Sequence, residues 1–278
     1  MRCAWNELLS ILPPNLRREV DNQGRADLRE LRLRVDAPPE LVLAGGNRWL
    51  SIPVTREDLR QCVNNASRYS PWNAATLSQG YLTAPGGHRL GICGQAVMKD
   101  GQMTGVREIT SICIRVARDI PGIAAKAAAI RGSLLILGAP GWGKTTLLRD
   151  LIRQLSDRGE HVAVADQRCE LFPEGGCFPR GRCTDVLGGC PKPDALEALL
   201  RTMGPDCVAV DEITAPEDCH ALVRAAFCGV RLLATAHAGS LADFRTRNVY
   251  KPLAEARVFS MALVLSRDKS YTLERMDL

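Results

Sequence analysis

The chain has 278 residues, and its 46% hydrophobic content is enough to bury the core of one large or two small domains. The formal net charge of +5 comes from 36 basic and 31 acidic residues, and the arginines are spread along the chain, so composition alone does not indicate a nucleic-acid-binding stripe. No apolar run reaches the ~20 residues of a bilayer span, and the N-terminus does not resemble a signal peptide. We therefore expect a cytoplasmic protein that touches membranes only through partners.

The first 120 residues predict a small α+β domain of short strands and turns. Between residues 29 and 35, leucines alternate with charged side chains at a period of two, which is typical of a strand with one buried and one solvated face. The segment around Lys99 to Gly101 predicts the turn of a β-hairpin. Thr55 and Asp58 form a capping-box-like start to a helix from Arg56 to Arg68.

A second domain is predicted from residue 121 to residue 278. Pro121 and Gly122 indicate a linker, and the following AAKAAAI segment predicts a short helix. Strands and helices then alternate from Ser133 onward, which predicts an α/β domain with a mainly parallel sheet covered on both faces. The connection from Gln167 to Pro193 is expected to be a long loop that orders against a nucleotide or a neighbouring subunit. A hairpin is predicted from Ala262 to Met276.

The stretch from Leu134 to Asp150 contains the strongest motif of the chain. An apolar strand runs into a glycine-rich turn and then into an amphipathic helix, which is the pattern of a P-loop. Backbone N–H groups converge on a polyphosphate in such a loop, Lys144 would reach the β and γ phosphates, and Thr145 would hold Mg²⁺. The predicted ATP-binding residues are Gly138, Ala139, Pro140, Gly141, Trp142, Gly143, Lys144, Thr145 and Thr146.

Ligands of parallel α/β sheets lie at the carboxyl ends of the strands, and four predicted strands end in groups suited to phosphate chemistry. They end in Gly138, Asp166, the pair Asp211 and Glu212, and His237. CVAVDE looks like a Walker B strand, in which Asp211 would orient Mg²⁺ and Glu212 would polarise the attacking water. Thr214 and Glu217 are expected to cap the next helix.

Asp166, Glu170 and His237 each allow a structural interpretation as well. Asp166 and Glu170 would place a second pair of carboxylates beside the metal and the nucleotide, or would belong to an ordinary polar loop. His237 would sense the γ phosphate, or would be a hydrogen-bonded histidine at a strand end. The eleven cysteines contain no CxxC pair. The spacings of Cys169, Cys177, Cys183 and Cys190 fit no usual zinc pattern, so we expect reduced thiols.

The P-loop, DQRCEL, TDVLGGCPK, CVAVDEI and ATAH together resemble the stage III sporulation protein AA family, in the secretion-ATPase branch of RecA-like ATPases. The resemblance implies an ATP-hydrolysing subunit in the mother-cell cytoplasm. It also implies a homo-oligomeric, hexameric ring, associated peripherally with membrane proteins of a channel between mother cell and forespore. The first domain of secretion ATPases supplies arginines to the phosphates. The matching positions here are Arg107, Arg115 and Arg118, joined by Arg168, Arg180 and Arg182 from the core loop.

Two departures and two alternatives accompany this resemblance. Trp142 stands where a small or polar residue is usual, and His237 has no second histidine nearby.

A RecA-like ATPase that binds nucleic acid is the alternative function. Related plant and cyanobacterial proteins add a single-strand-binding domain that we do not find before Leu278, so no stable nucleic-acid partner is expected. A degenerate scaffold is disfavoured because Lys144, Thr145, Asp211 and Glu212 are intact.

Overall fold

The computed structural model describes residues 3–25, 27–67, 78, 80–173 and 178–276. They fall into two compact units. One consists of the described residues of Met1–Arg118 and Pro173–Cys177, and the other of those of Asp119–Phe172 and Phe178–Leu278. We call them the antiparallel unit and the parallel unit after their sheets.

The antiparallel unit contains a six-stranded sheet in the order β3-β2-β1-β6-β5-β4, in which every neighbouring pair is antiparallel. Three helices pack with the sheet around an apolar core that includes Leu8, Leu16 and Leu59. The helices are α1 (Trp5–Ile11), α2 (Pro14–Gly24) and α3 (Arg56–Ser67), and a 3₁₀ turn covers Pro85–Gly87. The strands are β1 (Glu30–Arg34), β2 (Glu40–Leu43), β3 (Gly46–Trp49), β4 (Tyr81–Ala84), β5 (His88–Lys99) and β6 (Gln102–Arg115).

Local patterns account for several elements of this unit. Leu31 and Leu33 of β1 are buried, while Arg32 and Arg34 point outward and form ion pairs with glutamates. The predicted solvated face of this strand is therefore confirmed. At the start of α3, the Asp58 carboxylate accepts hydrogen bonds from the Thr55 N–H and hydroxyl, and the Asp58 N–H donates back to that hydroxyl. This confirms the capping box; Arg68, the predicted last residue, lies outside the described residues.

The parallel unit contains a seven-stranded sheet in the order β13-β12-β7-β11-β10-β8-β9. All its neighbouring pairs are parallel except the C-terminal hairpin of β12 and β13. The strands are β7 (Leu134–Leu137), β8 (Val162–Asp166), β9 (Thr184–Gly188), β10 (Cys207–Ile213), β11 (Arg231–Ala236), β12 (Met261–Leu265) and β13 (Tyr271–Arg275). The helices are α4 (Lys144–Asp157), α5 (Lys192–Thr202), α6 (Pro216–Phe227), α7 (Leu241–Thr246) and α8 (Lys251–Ala256), with 3₁₀ turns at Ala127–Ala129 and Asn248–Tyr250.

The structure corrects three local predictions. The AAKAAAI segment forms only turns and a three-residue 3₁₀ helix, because the buried Asp150 carboxylate takes the N–H groups of Gly122 and Ala124 and seven residues are too few for a helix to be stable by itself. The predicted long loop contains β9, which pairs with β8 at the sheet edge. Asp218, and not Glu217, accepts the N–H groups of Thr214 and Ala215 before α6.

Candidate active site

The strand ends singled out by the sequence lie side by side in the parallel unit. The sheet order β7-β11-β10-β8 places Gly138, His237, the Asp211–Glu212 pair and Asp166 at one edge, and the four strands run in the same direction. Because each group follows or ends its strand, parallel pairing alone brings them to the same edge. The candidate site is therefore built by the sheet, with the first turn of α4 completing it.

The loop between β7 and α4 depends on glycine. Gly141 and Gly143 have φ values of 77° and 97°, which side chains other than glycine rarely adopt. Gly138 is constrained by space, since a Cβ there would lie 3.2 Å from the Leu265 Cβ and 3.6 Å from Trp142 Cε3. Trp142 thus packs beside the first glycine of the loop, which accounts structurally for a large side chain at this position.

The Lys144 ammonium lies at the centre of the candidate site and is buried, with 6% of the residue exposed. It donates to the carbonyl oxygens of Gly138 at 2.8 Å and Ala139 at 3.1 Å, and it lies 3.1 Å from His237 Nδ1. Burial lowers the pKa of Lys144 below its usual value, and the negative charges of Asp211 and Glu212 partly oppose that shift. The carboxylates thus favour the charged form that a phosphate-binding lysine needs.

Thr145 and Thr235 hold the Asp211 carboxylate from two sides. The Thr145 hydroxyl donates to Asp211 Oδ2 at 2.7 Å, and the Thr235 hydroxyl donates to Oδ1 at 2.7 Å. Thr235 also accepts the Glu212 N–H at 2.8 Å, at a residue whose φ is +55°. Left-handed backbone is costly for glutamate, and the fully buried Thr235 hydroxyl helps to hold Glu212 in that conformation. Sequence reasoning missed Thr235, although a hydroxyl in the apolar strand RLLATA was a usable signal.

The Glu212 carboxylate contacts two side chains, those of His237 and Arg168. His237 Nε2 lies 3.0 Å from Glu212 Oε1, and Arg168 forms an ion pair with the other oxygen. Since the Lys144 ammonium can only donate, His237 Nδ1 is assigned as the acceptor and Nε2 as the protonated nitrogen that donates to Glu212. The Tyr250 hydroxyl accepts the His237 backbone N–H at 3.1 Å. The sheet edge therefore carries a continuous chain of contacts from Lys144 to Arg168.

Asp166 and Glu170 lie in the same cleft as Glu212, together with the buried Lys192. The Asp166 carboxylate accepts the N–H groups of Glu170 and Phe172, each at 2.9 Å. Burial raises the pKa of Asp166, although these hydrogen bonds favour its charged form. The contacts make Asp166 a residue that shapes its own loop, and a direct part in chemistry stays a prediction for both carboxylates.

Two basic residues that the sequence analysis did not single out support this cleft. Arg149 of α4 donates to the carbonyl oxygens of Leu171 and Glu170 and stacks over the Phe178 ring, 4.0 Å from its centre. The ammonium of Lys192 lies 3.2 Å from the Asp218 carboxylate, which caps α6. The Arg149 contacts connect α4 to the loop after Asp166. The Lys192 contact connects α5 to the start of α6, which follows Glu212.

Most of the other predicted arginines have contacts elsewhere in the described part of the molecule. Those of the antiparallel unit contact groups of their own unit: Arg107 donates to the Gln95 amide oxygen at 3.1 Å, Arg115 lies 3.6 Å from Glu30, and Arg118 donates to the Leu28 carbonyl. In the parallel unit, Arg180 lies 5.9 Å from the centre of the Phe172 ring, and Arg182 is exposed. Their predicted contact with phosphates stays a prediction.

The residues around Thr145 fit a magnesium ion that arrives with a nucleotide. A hydroxyl and a carboxylate, from Thr145 and Asp211, already meet at 2.7 Å, and Mg²⁺ prefers oxygen ligands and is usually held by one or two protein groups together with phosphates. Among the residues described, no group of three or more His, Cys, Asp or Glu side chains could hold a metal ion by itself. Ten cysteines within the described ranges are free thiols, and Cys177 lies outside those ranges.

Comparison with known proteins identifies the family. The family model for "Sporulation stage III, protein AA" matches residues 4–273. The chain belongs to this family. It is 36% identical to the Stage III sporulation protein AA of Bacillus subtilis (strain 168), over 95% of this chain and 92% of that protein. The resemblance inferred from the motifs is thereby confirmed.

Solved structures share the fold of this family member. The pilus retraction motor PilT with bound ADP superimposes with a TM-score of 0.60 at 16% identity, covering 93% of this chain and 80% of PilT. The ATPase DotB of Legionella pneumophila gives a TM-score of 0.55 at 18% identity, covering 95% and 80%. These likenesses confirm the predicted fold, an α/β P-loop core with a mostly parallel sheet and an N-terminal domain. Within the described ranges, no helix is long and apolar enough to cross a bilayer.

Proposed function

We propose that this chain is a Mg²⁺-dependent ATP hydrolase that acts as a motor or assembly subunit of a secretion-like membrane channel in endospore formation. The observation that carries the proposal is the convergence of Lys144, Thr145, Asp211, Glu212 and His237 at one sheet edge. Membership of the sporulation family supports the cellular role. The shared fold with the ATPase DotB and the ADP-bound motor PilT supports the use of a nucleotide.

The chemistry follows from what each side chain offers. The backbone N–H groups of the P-loop and the start of α4 would bind the phosphates, and Lys144 would exchange its loop carbonyl partners for phosphate oxygens. Thr145 and Asp211 would hold Mg²⁺, which when bound neutralises charge on the phosphates. Glu212 would accept the proton of the attacking water, with its carboxylate aimed by His237 and Arg168.

His237 contacts both ends of this machinery. Its Nδ1 faces the lysine that binds phosphate and its Nε2 faces the carboxylate that would activate water. A γ phosphate that drew Lys144 away would remove the hydrogen bond to Nδ1 and leave the hydrogen bond to Glu212. This arrangement supports the proposed role of His237 as a sensor of the γ phosphate.

We further propose that the active form is a homo-oligomeric ring, with six subunits as the expected number. The ring would lie in the mother-cell cytoplasm against membrane proteins of the sporulation channel. Arg107 is the best candidate among the three arginines of the antiparallel unit to complete a phosphate site across the ring. Its guanidinium contacts the neutral amide of Gln95, whereas Arg115 lies near the charged Glu30. Two nitrogens of Arg118 donate to one backbone carbonyl oxygen, while one nitrogen of Arg107 donates to Gln95.

The test is steady-state ATPase activity over a series of protein concentrations, with mass photometry on the same samples in ATP. We expect activity that rises with concentration together with a ring-sized species, and at least a hundredfold loss in Lys144→Ala. An unchanged nucleotide affinity in Lys144→Ala would contradict the P-loop assignment. Many-fold stimulation by DNA with salt-dependent affinity would instead favour the nucleic-acid function.

A further inference from the structure

A basic groove lies in the parallel unit outside the nucleotide site. It is formed by α7, the 3₁₀ turn Asn248–Tyr250, α8 and the end of β13, and its volume is about 700 Å³. The residues that line it are Arg245, Thr246, Arg247, Asn248, Lys251, Ala254, Glu255, Arg257 and Met276. A concave surface of this size is large enough for a ligand or a short peptide segment.

Positive charge dominates the lining. Four cationic side chains face one carboxylate, that of Glu255. The Lys251–Glu255 pair is 3.7 Å long with both side chains about two-thirds exposed, and exposed pairs of this kind contribute little energy. Arg257 forms no ion pair with any residue in the described parts of the chain. Arg247 also pairs with Asp243, which lies outside the lining. With that carboxylate counted, four cations stand against two carboxylates, so the groove retains a net positive charge.

The segment beneath the groove is held firmly. The Phe244 and Tyr250 rings stack with centres 4.9 Å apart and planes within 16°, and both residues are buried. Arg247 is fixed by two hydrogen bonds to Asp243, each of 2.9 Å. Because these groups are already ordered, a ligand would not have to supply the free energy for ordering them.

The form of the groove favours a peptide over a nucleic acid. Proteins that bind single strands combine cations with exposed aromatic rings for base stacking, but none of the nine lining residues is aromatic and Tyr250 is only 3% exposed. Arginine guanidinium groups form paired hydrogen bonds with carboxylates. We propose that this groove binds an acidic peptide segment, rich in Asp and Glu, of a partner protein.

The experiment uses the full chain and a fluorescein-labelled hexaglutamate peptide, with binding measured by fluorescence anisotropy. The test variant is Lys251→Gln with Arg257→Asn; asparagine suits the left-handed backbone of Arg257, where φ is 49°. The matched control is Arg201→Gln with Arg224→Gln, which removes the same charge from two exposed arginines outside the groove. A labelled hexathymidylate oligonucleotide is measured in parallel.

We expect salt-sensitive binding of the peptide that weakens at least tenfold in the test variant and less than twofold in the control. Equal weakening in both variants would overturn the proposal, since the protein would then attract anions only through net charge. Tighter binding of the oligonucleotide with the same tenfold loss would also overturn it, in favour of a nucleic-acid groove. None of these measurements requires ATP hydrolysis, so failure of the proposed activity would be seen separately.

Discussion

The two sheets of this protein use polar side chains in opposite ways. In the antiparallel unit, charged residues such as Arg32 and Arg34 project from the exposed face and pair with nearby glutamates. In the parallel unit, the four strands that form the candidate site (β7, β8, β10 and β11) are mostly apolar, and polar groups collect where these strands end. Alternation therefore produces a solvated face in one unit, while strand direction produces a concentrated site in the other.

This difference indicates where a substitution should affect chemistry. An exposed polar residue of the antiparallel sheet has solvent as an alternative partner, so its substitution should change the free energy of unfolding only slightly. At the carboxyl edge of the parallel sheet, a polar residue can be shielded from solvent, as Thr235 is with its two hydrogen bonds and 0% exposure. The proposed catalytic function should therefore be more sensitive to the second class.

Glu212→Gln should show the largest effect. We expect kcat for ATP hydrolysis to fall about 10²–10⁴-fold with nucleotide affinity retained, because glutamine keeps the shape but cannot accept the proton. Single-turnover kinetics with measured ADP release would check this. Glu217→Gln, at an exposed position on the next helix, is the control. Normal turnover in Glu212→Gln would mean that the strand-end carboxylates of the parallel sheet are structural. The expected difference in catalytic sensitivity between the two sheets would then be wrong.

Arg107→Gln tests an exception to this difference between the two sheets. Arg107 is an exposed residue of the antiparallel unit, yet we propose a chemical role for it. We expect kcat to fall about 10²-fold in ring-sized assemblies, because a positive charge that stabilises the transition state is lost. The free energy of unfolding should change by no more than about 0.5 kcal/mol. Arg34→Gln, which loses a surface ion pair with Glu40, is the control. A normal rate for Arg107→Gln would limit the chemistry of the site to the parallel unit.

Thr235→Val should cost both stability and turnover. Valine has a similar shape but cannot bond Asp211 or the Glu212 N–H, so we expect a loss of about 1–3 kcal/mol in unfolding free energy. Turnover should fall at least tenfold if Thr235 positions Glu212. Urea unfolding and kcat, with Thr235→Ser as the variant that keeps the hydroxyl, would measure this. If Thr235→Ser failed as badly as Thr235→Val, the methyl group and not the hydroxyl would be the important part.

The smallest expected effect is a pH dependence of stability that arises from His88 in the antiparallel unit. It is fully buried, accepts the Ala117 N–H on Nδ1 and contacts the Ala4 carbonyl through Nε2. Burial lowers its pKa below the usual value, so the unfolded chain takes up a proton before the folded chain as the pH falls. The contribution of His88 to stability should be constant above about pH 6.5 and decline below it by at most about 1.4 kcal/mol per pH unit.

Urea unfolding at several pH values, together with the NMR signals of the His88 ring, would check this. The ring should take up its proton at a lower pH in the folded protein than in the unfolded chain. A ring that titrates near pH 6.5 without loss of stability would show that its surroundings accept the charged form.

The sequence predicts the features that are formed by residues close to one another in the chain. The P-loop, the Thr55–Asp58 capping box and the Lys99–Gly101 turn involve residues only a few positions apart. The strand-end carboxylates were found because a parallel sheet brings its carboxyl ends together whatever the order of its strands. Family motifs supplied the rest of the functional prediction.

What the sequence did not predict depends on distant partners. No local pattern in Thr184–Gly188 indicates that this segment pairs with β8, so the sequence alone predicts a loop there. The Ala-rich segment 124–130 has strong helix propensity, but the carboxylate of Asp150 competes for its backbone. Thr235 and Lys192 acquire their importance only from Asp211, Glu212 and Asp218, which lie elsewhere in the chain.

The position of β12 in the sheet determines when the candidate site can form during synthesis. The P-loop strand β7 is flanked by β11 and β12, and Leu265 of β12 packs against Gly138. The loop between β7 and α4 is thus translated well before Leu265, the residue of β12 that lies against it. Most of the antiparallel unit precedes the parallel unit in the chain and can fold early, whereas the proposed nucleotide site cannot be complete until β12 has left the exit tunnel.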